Sequence, residues 1–432
     1  MVEEAPKSSK ITNNIFNILS EPSYIELFTN INREYYYWDK VKYLVPKDIS
    51  PKDFWTAIKL SRLGNPVKFG DFIFSYKETN FMQFLLHEFD MNFGGTVSSE
   101  NIISAKNKQY YLLSSIMEEA IASSQMEGAS TTRKVAKDML RKQAKPKDKS
   151  QQMILNNYNT IRFLFEHKDE KLTPELFLTV HKMITEQTLD DSNDEGRFRT
   201  DDSIVVANGV TGEVAHEPPS YTQIKKMISE ICSFANNDKT FIHPIIKAII
   251  IHFMISFLHP FVDGNGRTAR SFFYWYMLKK GYWLTGFLSI SRIIYKSKTQ
   301  YEKAFLYTEH DDFDLGYFIQ YNLNVLKKAF NELQIYLERK AKEENAMLEF
   351  KNIPGINERQ ARIIKMLIEK PGSILISKEL ETTFNVSVKT IRADLESLVE
   401  LKLVEKIPIN KRLMGYARSN NFEKMIRENS GN

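Results

Sequence analysis

Twelve residues, HPFVDGNGRTAR from His259 to Arg270, hold the side chains whose types and spacing best suit chemistry. Gly264, Asn265 and Gly266 let the backbone turn tightly and aim several N–H groups inward, while a following helix presents its positive N-terminus to the same point. That combination is an anion cradle. Arg267 and Arg270 lie three residues apart on the first turn of that helix. Both can face the loop and grip phosphate oxygens through paired hydrogen bonds, which suits a polyphosphate better than a monophosphate. Asp263 adds a hard oxygen ligand beside the cradle, appropriate for Mg²⁺, which takes only one or two carboxylates when it bridges phosphates. His259, one turn earlier, can as a neutral imidazole take a proton from an attacking hydroxyl. A salt-bridged helix start would explain GNGR alone, but the full set is far more specific. The segment has no GK[ST] and follows no strand, so it is neither a Walker loop nor a dinucleotide fingerprint.

The surrounding pattern predicts a mainly α protein. An apolar stretch from Pro244 to Leu258 reads as a buried helix before the loop, and Thr268–Lys280 as the helix after it. Upstream, Leu112, Leu113, Ile116, Ala120 and Ile121 recur at helical steps, predicting a helix over 109–128. Further helices are expected over 153–167, 175–188 and 221–236. Residues Ser203–His216, SIVVANGVTGEVAH, carry the signal of a β-hairpin around Asn-Gly and Thr-Gly turns. Residues 1–100 read as a helical region of uncertain layout, because Pro and Gly punctuate them at Pro46, Pro51, Gly64-Asn65-Pro66 and Gly94-Gly95. The expected division is 1–100, a core over 101–335, a charged linker over 336–352 and a last unit over 353–432. In that unit, helices over 358–369, 377–384 and 387–401, followed by β-like runs at 403–407 and 413–417, make a winged helix.

Composition narrows the function classes. The 432 residues are 42% apolar and 26% charged, as in a globular protein with large cores. With 59 basic and 54 acidic side chains, the balance is too even to imply a nucleic-acid partner by itself. The basic run from Arg133 to Lys149 reads as a solvated helix end and linker. One cysteine, Cys232, can form no internal disulfide and reads as a buried thiol. The polar start MVEEAPKSSK and the lack of a long apolar span argue for a cytoplasmic protein without a membrane anchor. His243 and His252 show no metal-ligand spacing and are expected to pack or cap helices. The acidic run Glu309, Asp311, Asp312 and Asp314 is expected in a solvated loop.

HPFVDGNGRTAR resembles the signature of the Fic family, HPFx[DE]GNGRxxR, at every specified position. The similarity extends from about Ser115 to Leu326 and includes Gly196-Arg197-Phe198-Arg199, Pro218-Pro219 and His243-Pro244. It implies a Fic-type helical core that moves AMP from ATP, with Mg²⁺, onto a Tyr, Thr or Ser hydroxyl of a target protein. On that resemblance His259 is the general base, Asp263 holds Mg²⁺, Gly264, Asn265, Gly266 and Arg267 bind the ATP phosphates, and Arg270 contacts the γ-phosphate. The 203–216 hairpin is similar to the family's flap, which pins the target by strand addition, with Val205 and Val206 its expected contacts. Many relatives carry a Tyr-Tyr pair near the adenine where this chain has Tyr301-Glu302; Tyr301 is the expected contact. Ser123 to Gly128, SSQMEG, matches the family's inhibitory motif [ST]xxxE[GN]. Ser123 and Glu127 share a helix face, and the resemblance pairs Glu127 with Arg270.

Alternatives remain open at this stage. The same site could remove AMP from a modified protein, with Glu127 orienting the attacking water. The chain could also be a nucleotide-sensing DNA-binding regulator. In the last unit Ser387 is a natural N-cap, Lys389, Thr390 and Arg392 project from the start of a helix, and Lys411 and Arg412 sit at the wing. Asp394, Glu396 and Glu400 offset that charge, so contact with DNA and with protein are equally compatible. The target is not legible, and self-modification and a homodimer are both compatible with the pattern.

Overall fold

The computed structural model describes residues 2–7, 10–94, 105–207, 212–351, 355–384, 386–410 and 413–429. They fall into two compact units, Met1–Leu333 and Gln334–Asn432. The expected turn tips at Gly95 and Asn208-Gly209, and the wing residues Lys411 and Arg412, lie outside the described residues.

The first unit starts with helices α1 (Asn13–Ser20), α2 (Ile25–Glu34), α3 (Trp38–Val41) and α4 (Pro51–Ser61). An antiparallel hairpin follows, β1 (Asn65–Phe69) and β2 (Phe72–Tyr76), then α5 (Asn80–Phe89). This hairpin is absent from the helical reading of residues 1–100. Its cause is a period-two pattern, Val67 and Phe69, then Phe74 and Tyr76 buried on one face, with Gly70 at φ +61° making the turn. Phe72 and Phe74 pack edge-on against Phe257, which anchors the hairpin beneath the end of the helix that leads into the glycine loop.

The helical part continues as α6 (Ala105–Met126), α7 (Arg133–Lys142), α8 (Lys149–Glu166) and α9 (Pro174–Thr185). α6, α7 and α8 share a core that includes Ile116, Ala120, Ala136, Leu140, Ile154 and Ile161. The basic run is therefore half structural: α7 buries Ala136, Met139 and Leu140, and its lysines and arginines project outward. A short antiparallel pair, β3 (Val206–Ala207) and β4 (Val214–His216), forms the expected hairpin. Then come α10 (Ile224–Asn236), α11 (Pro244–Leu258), α12 (Asn265–Lys279), α13 (Ile290–Lys296), α14 (Lys298–His310) and α15 (Gly316–Lys351). α11 is buried nearly all round, as its predominantly apolar sequence requires. Lys247 is tolerated within it because its ammonium donates to the Asn237 carbonyl and pairs with Asp238. His243 caps α11 by accepting from Ile245 N–H, and His252 is buried within it. The stretch expected as a linker is helical up to Lys351, being the last part of α15.

The acidic run before α15 is only partly solvated, with Asp312 exposed and Glu309 half-buried. Asp311 and Asp314 are buried, and they fasten the N-terminal helices to the core: Lys59 pairs with Asp311 at 2.9 Å and the Tyr35 hydroxyl donates to Asp314 at 2.8 Å. Tyr317 donates to Asp311 and receives a hydrogen bond from the buried Arg62 guanidinium. Two cations and two tyrosines converge on the two carboxylates, which offsets the cost of taking them out of water. Sequence distance hid this, since the partners lie more than 250 residues away.

The second unit contains α16 (Glu358–Glu369), α17 (Ser377–Phe384), α18 (Val388–Glu400), an antiparallel pair β5 (Val404–Asn410) and β6 (Leu413–Arg418), and α19 (Phe422–Asn429). Ile363, Ile364, Leu367, Leu380, Ile391, Leu395 and Leu398 form its core. Ser387 caps α18 by accepting from Thr390 N–H. Leu375 makes a single antiparallel bridge to Tyr416 of β6. The winged helix is as expected from the sequence, with α19 an addition.

Gly316 lets the Tyr35 ring reach Asp314: a Cβ at position 316 would lie 2.0 Å from the Tyr35 hydroxyl. Gly316→Ala is therefore expected to expel that ring and lower unfolding stability by about 1–3 kcal/mol, measured as a reduced urea midpoint. An unchanged midpoint would show that Tyr35 is not a fastening of the N-terminal helices.

Candidate active site

The loop from His259 to Gly264 is shaped by backbone geometry and by residues far away in sequence. α11 ends at His259 in the left-handed region, φ +46°, and Gly264 starts the next turn at φ +83°. Asn265 spans the loop internally, its side chain accepting from Phe261 N–H at 2.9 Å and donating to Phe261 carbonyl at 2.8 Å. Its amide is thus committed to the loop, which leaves only the backbone N–H of Asn265 for a ligand. Phe261 is fully buried and stacks on His181 with ring centroids 3.7 Å apart. His181 Nε2 donates to the Asp263 carbonyl and Nδ1 accepts from Gly196 N–H. Arg199 donates from Nε to the His259 carbonyl at 3.0 Å, and its own N–H donates to the Pro260 carbonyl. The sequence offered Arg199 only as part of a family likeness and did not single out His181.

The loop borders a cavity of about 400 Å³ whose walls include the end of α6, the β3–β4 hairpin, the start of α12 and α14. His259, Asp263, Gly264, Asn265, Gly266, Arg270, Glu127, Val206 and Tyr301 all line it. Val205 is exposed and lies outside the lining, as do Ser123 and Arg267. The Tyr301 hydroxyl is tied to His252 Nε2 at 2.9 Å, so its place in the wall is fixed. On the hairpin, His216 contacts both the Glu309 carboxylate and the Phe257 carbonyl at 2.7 Å, which fastens β4 to α14 and α11.

His259 Nδ1 lies 3.1 Å from the Ser256 carbonyl, so the neutral ring donates there and keeps its Nε2 lone pair free. Burial holds the imidazole below its ordinary value, against the opposing effect of the Ser256 hydrogen bond. Asp263 is half exposed at the mouth, with Arg267 Nη2 at 3.5 Å. Arg267 is fully buried and donates to the Ile184 carbonyl, while its Nε has no partner.

Arg270 is 2% exposed and makes three contacts with one helix face: Nε to Ser123 Oγ at 2.9 Å, Nη2 to Ser123 carbonyl at 3.1 Å and Nη2 to Glu127 Oε1 at 2.8 Å. Burial would raise the Glu127 carboxyl, but Arg270, with Arg267 and His259, outweighs it and holds the group below the ordinary value. The carboxylate rests on the first turn of α12: a Cβ on Gly266 would lie 2.3 Å from Glu127 Oε1. Hence the anion cradle is filled by an anion from the chain itself. α6 is held in that position by Glu119, buried one turn before Ser123, which accepts from Ser291 N–H at 3.0 Å and from Ser289. Glu119, Ser123 and Glu127 form a polar stripe at four-residue spacing; that stripe was the signal for Glu119 in the sequence.

Comparison with known proteins accords with this geometry. Residues 171–277 match the Fic/DOC family model and residues 359–408 a DeoR-like helix-turn-helix domain model. The chain therefore carries a Fic/DOC domain followed by a DeoR-like helix-turn-helix domain. Over 120 residues it is 28% identical to the protein adenylyltransferase fic-1 of Caenorhabditis elegans, covering 28% of this chain and 22% of that protein. Over 113 residues it is 29% identical to a probable protein adenylyltransferase of Aquifex aeolicus (strain VF5), covering 26% of this chain and 32% of that one. The match thus spans about a fifth to a third of these relatives' length. A solved Fic family protein from Desulfovibrio desulfuricans G20 is similar in fold, with a TM-score of 0.51 and 17% identity over 80% of this chain and 98% of that one. Among the described residues no helix is long and apolar enough to cross a membrane.

Burial pushes His181 down to about 4 and His252 to about 3, from an ordinary 6.5. Below pH 6.5 the unfolded chain takes up protons that the folded chain refuses, so stability is fully present above 6.5 and falls as the pH drops toward 4. A pH series of urea midpoints should show this decline, and NMR should find both rings neutral at pH 6. A protonated His181 at that pH would contradict its role in holding the loop.

Proposed function

We propose that the chain is a Fic-type protein adenylyltransferase restrained by its own Glu127. The observation that carries this reading is the Glu127 carboxylate on Gly266 and Arg270, beside a neutral His259. In the reaction, a Tyr, Thr or Ser hydroxyl oxygen of a target protein attacks the α-phosphorus of ATP. The bond between that phosphorus and the bridging oxygen breaks, and pyrophosphate leaves. His259 Nε2 takes the hydroxyl proton. The backbone N–H groups at the start of α12 hold phosphate oxygens, and Arg270 holds the γ-phosphate once Glu127 has moved away. The half-exposed Asp263 carboxylate would hold Mg²⁺ arriving with its nucleotide, and the ion would supply neutralisation of phosphate charge. The β3–β4 hairpin presents the target segment, with Val206 and the residues of β4 nearest the cavity.

The account makes Glu127 inhibitory because one guanidinium cannot serve both the carboxylate and the γ-phosphate. Misplacing ATP by about 1 Å costs roughly a hundredfold in rate. Glu127→Gly is therefore expected to raise labelling from α-³²P-ATP on the order of a hundredfold. Adding Arg270→Ala should cancel the gain, and His259→Ala should remove on the order of 10² to 10⁴ of the rate. If the wild type instead strips AMP from a pre-labelled protein faster than Glu127→Gly does, Glu127 positions water and the hydrolytic direction is the activity.

A second proposal concerns the helix-turn-helix unit. Asp394 is buried against Arg359 and Asn357, Glu396 pairs with Lys406, and Glu400 is exposed at the far end of α18, so these acids offset little of Lys389 and Arg392, which stay exposed near its start. This favours contact with duplex DNA over protein docking. Lys389→Ala with Arg392→Ala should weaken duplex binding and flatten its salt dependence by about two phosphate contacts. Unaltered binding would place any duplex elsewhere.

A further inference from the structure

The first unit holds a second cavity, about 560 Å³ in volume, that shares no lining residue with the Fic cavity. It lies among the segment Glu34–Lys40, helix α14 and helix α15. Tyr37 and Tyr307 stack on each other at 4.3 Å with their rings 13° apart, each covering one face of the other, and both contribute to the cavity wall, Tyr307 being the more exposed of the two. Asp39 fixes that wall by accepting from the Tyr307 hydroxyl at 2.6 Å.

Gln320 also lines this cavity, on α15, and is 3% exposed. Both its amide oxygen and its amide nitrogen are buried without a hydrogen-bond partner, and so is Asp39 Oδ1. A buried carboxamide with every hydrogen-bonding position unmet costs on the order of 1–3 kcal/mol per group. An apolar residue of similar size would avoid that cost, and the sequence keeps glutamine. The space greatly exceeds what one water needs, and it lies in the range of small-molecule pockets.

The chemistry around Gln320 selects a ligand. A carboxamide offers a donor and an acceptor side by side, the pattern that pairs bidentately with the N6 and N7 edge of adenine. A tyrosine wall accepts the face of a purine by stacking. Lys40, Lys303 and Lys328 are exposed along the rim and outnumber the two acids there, Glu34 and Asp39, which favours an anionic substituent outside the ring-binding space. We propose that this cavity is a second, non-catalytic nucleotide site that takes an adenine nucleotide through Gln320, the Tyr37–Tyr307 wall and the lysine rim. Tyr321 lines it and meets Tyr301 of the Fic cavity with ring centroids 5.9 Å apart, so the two sites adjoin through one pair of rings. The proposal is independent of whether the Fic cavity transfers AMP.

The test is calorimetric titration of the full chain with AMP, adenosine and CMP. Wild type should bind two equivalents of AMP, and Gln320→Leu one, with the thermal midpoint of the empty Gln320→Leu protein equal to or above that of wild type. Lys328→Glu, a change at an exposed position, should weaken the second equivalent of AMP at least tenfold and leave adenosine unaffected. CMP should fail to fill this site. The proposal is overturned if Lys328→Glu and Gln320→Leu both keep two equivalents of AMP. It is equally overturned if wild type binds no more equivalents of AMP than Gln320→Leu does, which leaves the cavity to water, or if CMP fills the equivalent lost in Gln320→Leu as well as AMP does.

Discussion

The guanidinium of Arg270 is buried at the foot of the glycine loop, and a buried cation must have an anionic partner. Removing a charge from water costs several kcal/mol even after relaxation, and breaking a buried pair from one side costs about 3–5 kcal/mol. Two partners suit the position: the Glu127 carboxylate, which is there, and a phosphate, which the adjoining helix start also favours. The rest of the first unit can be understood from this requirement. α6 must deliver Glu127, so Glu119 ties it to α13 and its apolar face packs on α8. Arg270 must be aimed from the first turn of α12, so His181, Arg199 and Asn265 fix the loop before it. On the proposed function, stability of the resting state and access of nucleotide compete at this one side chain.

Burial holds the His259 imidazole below its ordinary value, against the Ser256 hydrogen bond and the nearby Glu127 carboxylate, and that burial does not depend on a ligand. On the proposed function, the site is assembled before nucleotide arrives, and Glu127 is the group that has to leave Arg270 for a phosphate to take its place. That is a small barrier compared with refolding a loop, and it makes the end of α6 the place where control would act. Glu127 sits at the final turn, after which Gly128 takes φ +95° and the chain leaves the helix. A helix end frays more readily than its middle.

Much of this was legible in the sequence because local spacing carried it. The loop residues His259 to Arg270, the Ser123 and Glu127 pair, the hairpin at 203–216 and the helices of the last unit all depend on neighbours within a dozen positions. Helix ends were legible to within a few residues, as at Pro244–Leu258. What failed was long range or overlooked. His181, Arg199 and Glu119 act on groups tens to more than a hundred residues away, and a lone polar residue on an apolar helix gives no hint of its partner. Asp311 and Asp314 looked solvated because their cations, Lys59 and Arg62, belong to helices early in the chain. The side chain of Asn265 was not legible as a brace across the loop, because its role depends on how Phe261 is turned. The β1–β2 hairpin was present as Val67, Phe69, Phe72, Phe74 and Tyr76 around Gly70-Asp71; helical expectations obscured a period-two pattern.

The central claim is that Glu127 and the γ-phosphate contend for Arg270. Calorimetric affinities of ADP and ATP, measured with Mg²⁺ on wild type and on Glu127→Gln, test it most directly. The nearly isosteric amide removes only the charge, so a change confined to ATP isolates the third phosphate. The account predicts that wild type binds ADP and ATP about equally, because the γ-phosphate finds its partner taken, and that Glu127→Gln binds ATP at least tenfold more tightly than ADP. A wild type that already prefers ATP by that margin, with no further gain in Glu127→Gln, would contradict it.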